Sequence, residues 1–180
     1  PGQQMSANEA EDYHALQVKT FSETQADMIT ALTLNYVEEA IGLTRAAMAF
    51  NMPVVISFTV ETDGKLPTGQ SLSDAIDEVE SKTQGAPTYY KINCAHPTHF
   101  LDILAADEPW LSKIRSIRAN ASCLSHAELD EAEELDEGDP VELAIFYKDM
   151  MKRLPNLNVL GGCCGTDLKH IEQISKACFS

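Results

Sequence analysis

Short apolar runs alternate along this chain with stretches of helical spacing, and that rhythm limits the fold more than any other feature of the sequence. The runs are Ala26 to Leu34, Pro53 to Val60 (PVVISFTV), Thr88 to Cys94, Lys113 to Ala119 and Asn156 to Leu160. Helical spacing covers Ser6 to Gln25, Asn35 to Phe50, Ser71 to Thr83, His96 to Ala105, Pro140 to Leu154 and Asp167 to Cys178. Their boundaries carry stop and start chemistry: Ser6 with Glu9 is a capping-box signature, Ser71 or Ser73 can open the third helix, Pro97 and Pro140 suit first turns, and Asp167 is a fair N-cap. Lys113 to Ala119 (KIRSIRA) departs from the pattern, because two arginines and a lysine interrupt its apolar residues; its place in the rhythm marks it as a strand. Strands that alternate with helices pair in parallel through right-handed crossovers, and near-continuous apolar runs suit burial on both faces. The expected class is α/β with about five parallel strands, closed as a barrel or left as an open sheet. In either case a ligand site belongs at the carboxyl ends of the strands.

With 180 residues, 44% of them hydrophobic, the chain can bury the core of one domain. No apolar run approaches the roughly 20 residues that span a bilayer, and the N-terminus has no basic region followed by an apolar stretch, so a membrane partner is not expected and a cytoplasmic location is. The net charge of −15 would repel a phosphate backbone, which argues against nucleic acid. Much of the acid lies in Glu128 to Asp139 (ELDEAEELDEGD); it lacks the regular ligand spacing and central glycine of a calcium loop and reads as a solvated loop or helix surface.

Two cysteines stand side by side in Val159-Leu160-Gly161-Gly162-Cys163-Cys164-Gly165-Thr166, after an apolar run and before a helix. Neighbours on a regular strand point to opposite faces, so both can reach one ion only where the backbone leaves strand geometry, as flanking glycines permit. Cys94 ends another strand, after Asn93 and before His96, and three thiolates at strand ends could hold one zinc with a position left open. A zinc-bound thiol would ionise at neutral pH and attack an electrophilic carbon, which makes alkyl transfer to sulfur the implied chemistry. A pair of small buried cysteines in a glycine-rich turn is the competing reading. A redox pair is disfavoured, since adjacent cysteines close only a strained ring and no C-x-x-C is present. Five cysteines, an odd number, make a poor disulfide framework and suit a reducing compartment. Cys123 and Cys178 read as structural, although Cys123 could approach the same face of the sheet. His96 and His99 read as solvated or capping residues, with His96 a minor candidate for supporting the site. The segment GKLPTG from Gly64 to Gly69 lacks the spacing of a phosphate loop.

These residues resemble the homocysteine S-methyltransferase domain family, through Gly161-Gly162-Cys163-Cys164-Gly165-Thr166 and Asn93-Cys94, and the likeness spans the whole chain. The resemblance implies a (β/α)8 barrel in which Cys94, Cys163 and Cys164 bind Zn2+, activate homocysteine as a thiolate and methylate it to methionine. It makes Thr33, Asn93 and Asn120 candidate substrate-binding residues, and a small-molecule thiol and a methyl donor the partners. The donor stays open among a sulfonium, a betaine and a methylfolate. A full barrel takes roughly 250 residues, so residues 1–180 correspond to its later units, without the first three strand-helix units. A complementary chain or a homo-oligomer would close the exposed sheet edges. Where the family's Glu-Thr segment places a glutamate for the substrate amino group, this chain has Leu32 before Thr33; another thiol could then be the acceptor. A noncatalytic zinc-binding partial barrel, or one half of a two-chain assembly, is the alternative function.

Overall fold

A computed structural model describes residues 4–105 and 108–179. Among the described residues seven α-helices and five strands follow one another as α1 (Ala7–Ser22), β1 (Ile29–Leu34), α2 (Val37–Ala49), β2 (Val54–Phe58), α3 (Leu72–Thr83), β3 (Tyr89–Asn93), α4 (Pro97–Phe100), β4 (Ile114–Ala119), α5 (His126–Glu131), α6 (Pro140–Arg153), β5 (Val159–Gly162) and α7 (Leu168–Phe179). The caps of the first and third helices are those the sequence announces, and Asp139 adds one it did not single out. Ser6 and Glu9 complete the capping box of α1, Ser71 caps α3, and Asp139 accepts from the amides of Val141 and Glu142 ahead of Pro140 in α6. Among the described residues no helix is long and apolar enough to cross a membrane.

The strands lie in the order β1-β2-β3-β4-β5, and all four pairings are parallel. Sequential order decides between the two architectures left open by the rhythm alone. An open doubly wound sheet reverses its strand order part-way to place helices on both faces, whereas repeated same-handed crossovers without reversal put every helix on one side, as in a barrel wall. The fold is therefore α/β of the (β/α)8-barrel type, with five strands of the wall.

Register separates the two faces. Ala31, Ile56, Tyr90 and Ile114 align across β1 to β4, Phe58, Ile92, Ile117 and Leu160 across β2 to β5, and both rows pack into or against the core with Val54, beneath the apolar sides of α2, α3 and α6. The other face carries Ser57, Lys91, Ser116 and Arg118 in register. The arginines that interrupt the apolar run of β4 are thereby explained: an irregularity between Tyr90 and Lys91 leaves Arg115 as an exposed extra residue, and Arg118 projects away from the helices. Tyr147 of α6, fully buried, accepts from the Ala119 amide at 2.9 Å and donates to the Gly161 carbonyl, tying β4 to β5 just below their carboxyl ends.

Two stretches differ from the sequence reading. The last strand begins at Val159 and runs into Gly162, because Pro155 and Asn156 form the turn that reverses the chain after α6. The stretch from His96 to Ala105 is one α-turn followed by a 3₁₀ turn, Asp102–Ala105, which buries both Phe100 and Leu104. The acidic run begins within α5, none of whose residues is buried.

Candidate metal centre and adjoining cavity

Cys94 would face the helices if β3 continued, since Asn93 faces the other way. It instead adopts φ +56°, a left-handed conformation that costs a non-glycine residue about 1–3 kcal/mol. The turn brings its sulfur to the rim. Both ends of the residue are held: its amide donates to the Arg118 carbonyl at 3.2 Å, and its carbonyl accepts from His126 Nε2 at 2.6 Å and Thr59 Oγ1 at 3.4 Å.

Cys163 and Cys164 leave strand geometry together. The Cys163 amide still bonds to the Ala119 carbonyl at 2.8 Å, but that of Cys164 turns to Asn120 Oδ1 at 3.2 Å. Thr166 closes the turn on the Cys163 carbonyl with its amide and its hydroxyl, at 3.1 and 2.8 Å. Two glycines are demanded by contact: a Cβ on Gly162 would lie 2.1 Å from Thr166 Oγ1, and one on Gly165, at φ +77°, would lie 2.5 Å from the Asp136 carbonyl oxygen.

The outcome is a convergence of Cys94, Cys163 and Cys164, whose Sγ atoms lie within 4.8 Å of one another, a group that could hold a metal ion. Cys94 and Cys163 are 2.8 Å apart and half-buried; Cys164 is exposed. The hydrogen bond from Cys163 holds the Cys94 thiol down, to about 7, against the opposing effect of burial. Cys163, which donates that bond, is pushed well above the usual thiol range, and burial raises Cys164. Arg118, whose Nε donates to the Gly162 carbonyl at 2.6 Å, works against the rise at Cys163. Burial, and then Arg118, lower the pKa of the neighbouring Lys91.

The other candidates divide. Thr33 sits in a bulge of β1, also left-handed at φ +61°, with its hydroxyl 4.0 Å from Cys94 Sγ. Asn93 is buried and builds that bulge: its Oδ1 accepts from the Thr33 amide at 2.9 Å and from Ser57 Oγ, and its Nδ2 donates to Thr33 Oγ1 at 2.7 Å. A cavity of about 680 Å³ opens beside the sulfurs, lined by Thr33, Cys94, Asn120 and Cys164 but not by Asn93 or Leu32. Its opposite wall is the segment read from sequence as merely solvated: Leu129 and Leu135 line it, together with Asp130, Glu133, Glu134 and Asp136. His126 and Glu61, also lining it, went unnoticed in the sequence; neither belongs to a motif, and only the fold joins them to Cys94. Cys123 lies outside the sulfur cluster, exposed, its carbonyl accepting from His99 Nε2 at 2.9 Å. His96 caps α4 through the Thr98 amide, and burial holds its pKa down, to about 4.

The homocysteine S-methyltransferase family profile matches residues 1–178. The chain belongs to that family. Solved structures that share its fold include two of the homocysteine methyltransferase MmuM from Escherichia coli. The apo form has 18% identity and a TM-score of 0.71 over 98% of this chain and 60% of that one. The metallated form has 16% identity and a TM-score of 0.70 over 97% and 53%. The chain thus spans little more than half the length of these relatives. No curated protein matches it in sequence.

Proposed function

We propose that this chain is part of a cytoplasmic zinc-dependent methyltransferase that transfers a methyl group to the thiolate of homocysteine, forming methionine, or of a related thiol. The observation that carries this reading is the meeting of Cys94, Cys163 and Cys164 beside a cavity of a size usual for small-molecule sites. The donor set suits zinc: thiolates are soft ligands, and Cys94, Cys163 and Cys164 would supply three of them and leave a fourth position for a substrate thiol. Zinc, when bound, lowers the pKa of an incoming thiol so that it persists as a thiolate at neutral pH.

The chain's own residues do the rest. Thr33 and Asn120 offer polar contacts at the cavity wall, and Asn93 fixes Thr33. In the transfer the thiolate lone pair forms the new S–C bond while the bond from the methyl carbon to the donor breaks, its electron pair leaving with the donor. Glu61 and the four carboxylates of the acidic segment line the cavity without a lysine or arginine among its lining residues. That field favours a methyl on a positively charged sulfur or nitrogen over a polyanionic folate. Position 32 carries leucine, so the amino group of homocysteine lacks the glutamate the family resemblance expects, which supports a related thiol as the alternative acceptor.

One observation favours a second reading. β1 and β5 are unpaired edges of the described sheet and expose Leu32 and Val159, as the wall of an incomplete barrel would. The chain would then be a zinc-binding half that needs the first three strand-helix units, from its own polypeptide or a partner, before it turns over. Incubation of the zinc-loaded chain with homocysteine and cationic or folate donors, read by mass spectrometry, separates the two. Methylated thiol that is lost in Cys163→Ala supports the enzyme; stoichiometric zinc without transfer to any thiol favours the half-barrel.

A further inference from the structure

His126 is the first residue of α5, two positions ahead of the acidic segment and 32 positions from Cys94 in sequence. A carbonyl oxygen only accepts, so the 2.6 Å contact between His126 Nε2 and the Cys94 carbonyl makes Nε2 the donor. The ring's other nitrogen faces Glu61 Oε1 at 3.3 Å, a contact that is a hydrogen bond only when that nitrogen also carries a proton. Ser125 and Glu128 cap α5 reciprocally and so set where the ring emerges. The carbonyl it grips belongs to the residue whose left-handed backbone aims the sulfur at Cys163, a conformation that lapses to the ordinary strand region unless its surroundings enforce it. At its far end the same segment lies beside the cysteine turn: Asp136 accepts from Ser122 Oγ at 2.6 Å, and its carbonyl lies against Gly165, the residue after Cys164.

We propose that His126 is a positioning residue for the Cys94 ligand, and that it fastens the acidic wall of the cavity to the metal centre. The inference rests on the metal-centre reading above. Restraint of this kind acts by preorganising the ligand, and loss of such supporting contacts lowers metal affinity by roughly 10–100-fold.

The test is chelator competition for zinc on the full chain, alongside the sulfur-to-metal charge-transfer band of its cobalt(II) form. His126→Ala is expected to weaken zinc binding about tenfold or more and to shift the cobalt band, with an unchanged circular dichroism spectrum. His126→Gln, whose amide N–H can reach the same carbonyl, recovers most of the affinity. Wild-type affinity and an unshifted band in His126→Ala overturn the proposal, as does a loss that glutamine leaves unrelieved. Alkylation of Cys94 in the metal-free chain gives an independent reading: it accelerates in His126→Ala and returns toward wild type in His126→Gln. A wild-type chain that binds no zinc sinks the functional reading, and the alkylation rates then decide on His126 alone, unchanged rates overturning it.

Discussion

On the helix-covered face of the sheet, Val54, Ile56, Phe58, Tyr90, Ile92 and Ile117 are at most 1% exposed, in regular strand conformation. At the rim a few residues away, Thr33 and Cys94 hold left-handed backbones, and Cys164 is left exposed. The first region contributes stability by removing apolar surface from water, at about 25 cal/mol per Å². The second gives some of that stability up to bring polar and sulfur atoms together. The contrast teaches where tolerance lies: residues at the rim can be changed with modest effect on folding and large effect on binding, and residues under the helices the reverse.

Phe58→Ala is the strongest challenge to that division. It should cost about 3–5 kcal/mol in urea denaturation while leaving the cysteine positions unaltered; Cys94→Ala should cost well under half as much yet abolish tight zinc binding. Equal losses of stability would break the comparison. A smaller effect is expected at Gly165, where alanine meets both a positive φ and the Asp136 carbonyl. Gly165→Ala should cost about 1–3 kcal/mol, and should weaken zinc binding more than its loss of stability accounts for.

The thiols of the metal-free chain sharpen the picture within the rim. Because Cys94 is held down to about 7 and Cys163 is raised, thiolate at Cys94 grows as pH rises through about 7. Peptide mapping after iodoacetamide should find Cys94 labelled first, its rate climbing to a plateau above neutrality, with Cys163 modified only in more alkaline solution. The least effect is expected far from both regions. Lys176 pairs with Glu172 at 2.7 Å on the exposed side of α7, and Lys176→Ala should change stability by no more than about 0.5 kcal/mol.

The helix-covered face was legible in the sequence because its signals are local: apolar runs such as PVVISFTV, the Ser6–Glu9 capping box and prolines at first turns each depend on a few neighbouring residues. The cysteine motif was legible too, since glycines beside adjacent cysteines announce a departure from strand geometry. What the sequence withheld depends on register and long-range contact. Arg118 looked like an interruption of a strand, and only pairing with Asn93 reveals that it faces away from the core. Nothing local marks Thr33 or Cys94 as left-handed, because neither is glycine or asparagine; the side chain of Asn93 and the ring of His126 hold them there from 60 and 32 residues away. The acidic run reads as solvated by composition, and most of its carboxylates do face water, yet Leu129 and Leu135 within it signal a wall facing a cavity. Pro155 displaced the start of the last strand by imposing a turn.

The central claim is that three sulfur atoms from two strand ends hold one zinc ion and leave a place for a thiol. X-ray absorption at the zinc edge of the metal-loaded chain tests it most directly. Three sulfur ligands and one lighter ligand are expected, becoming four sulfurs on addition of homocysteine and falling to two protein sulfurs in Cys94→Ala. A first shell dominated by nitrogen or oxygen, or one that Cys94→Ala leaves unchanged, would contradict it.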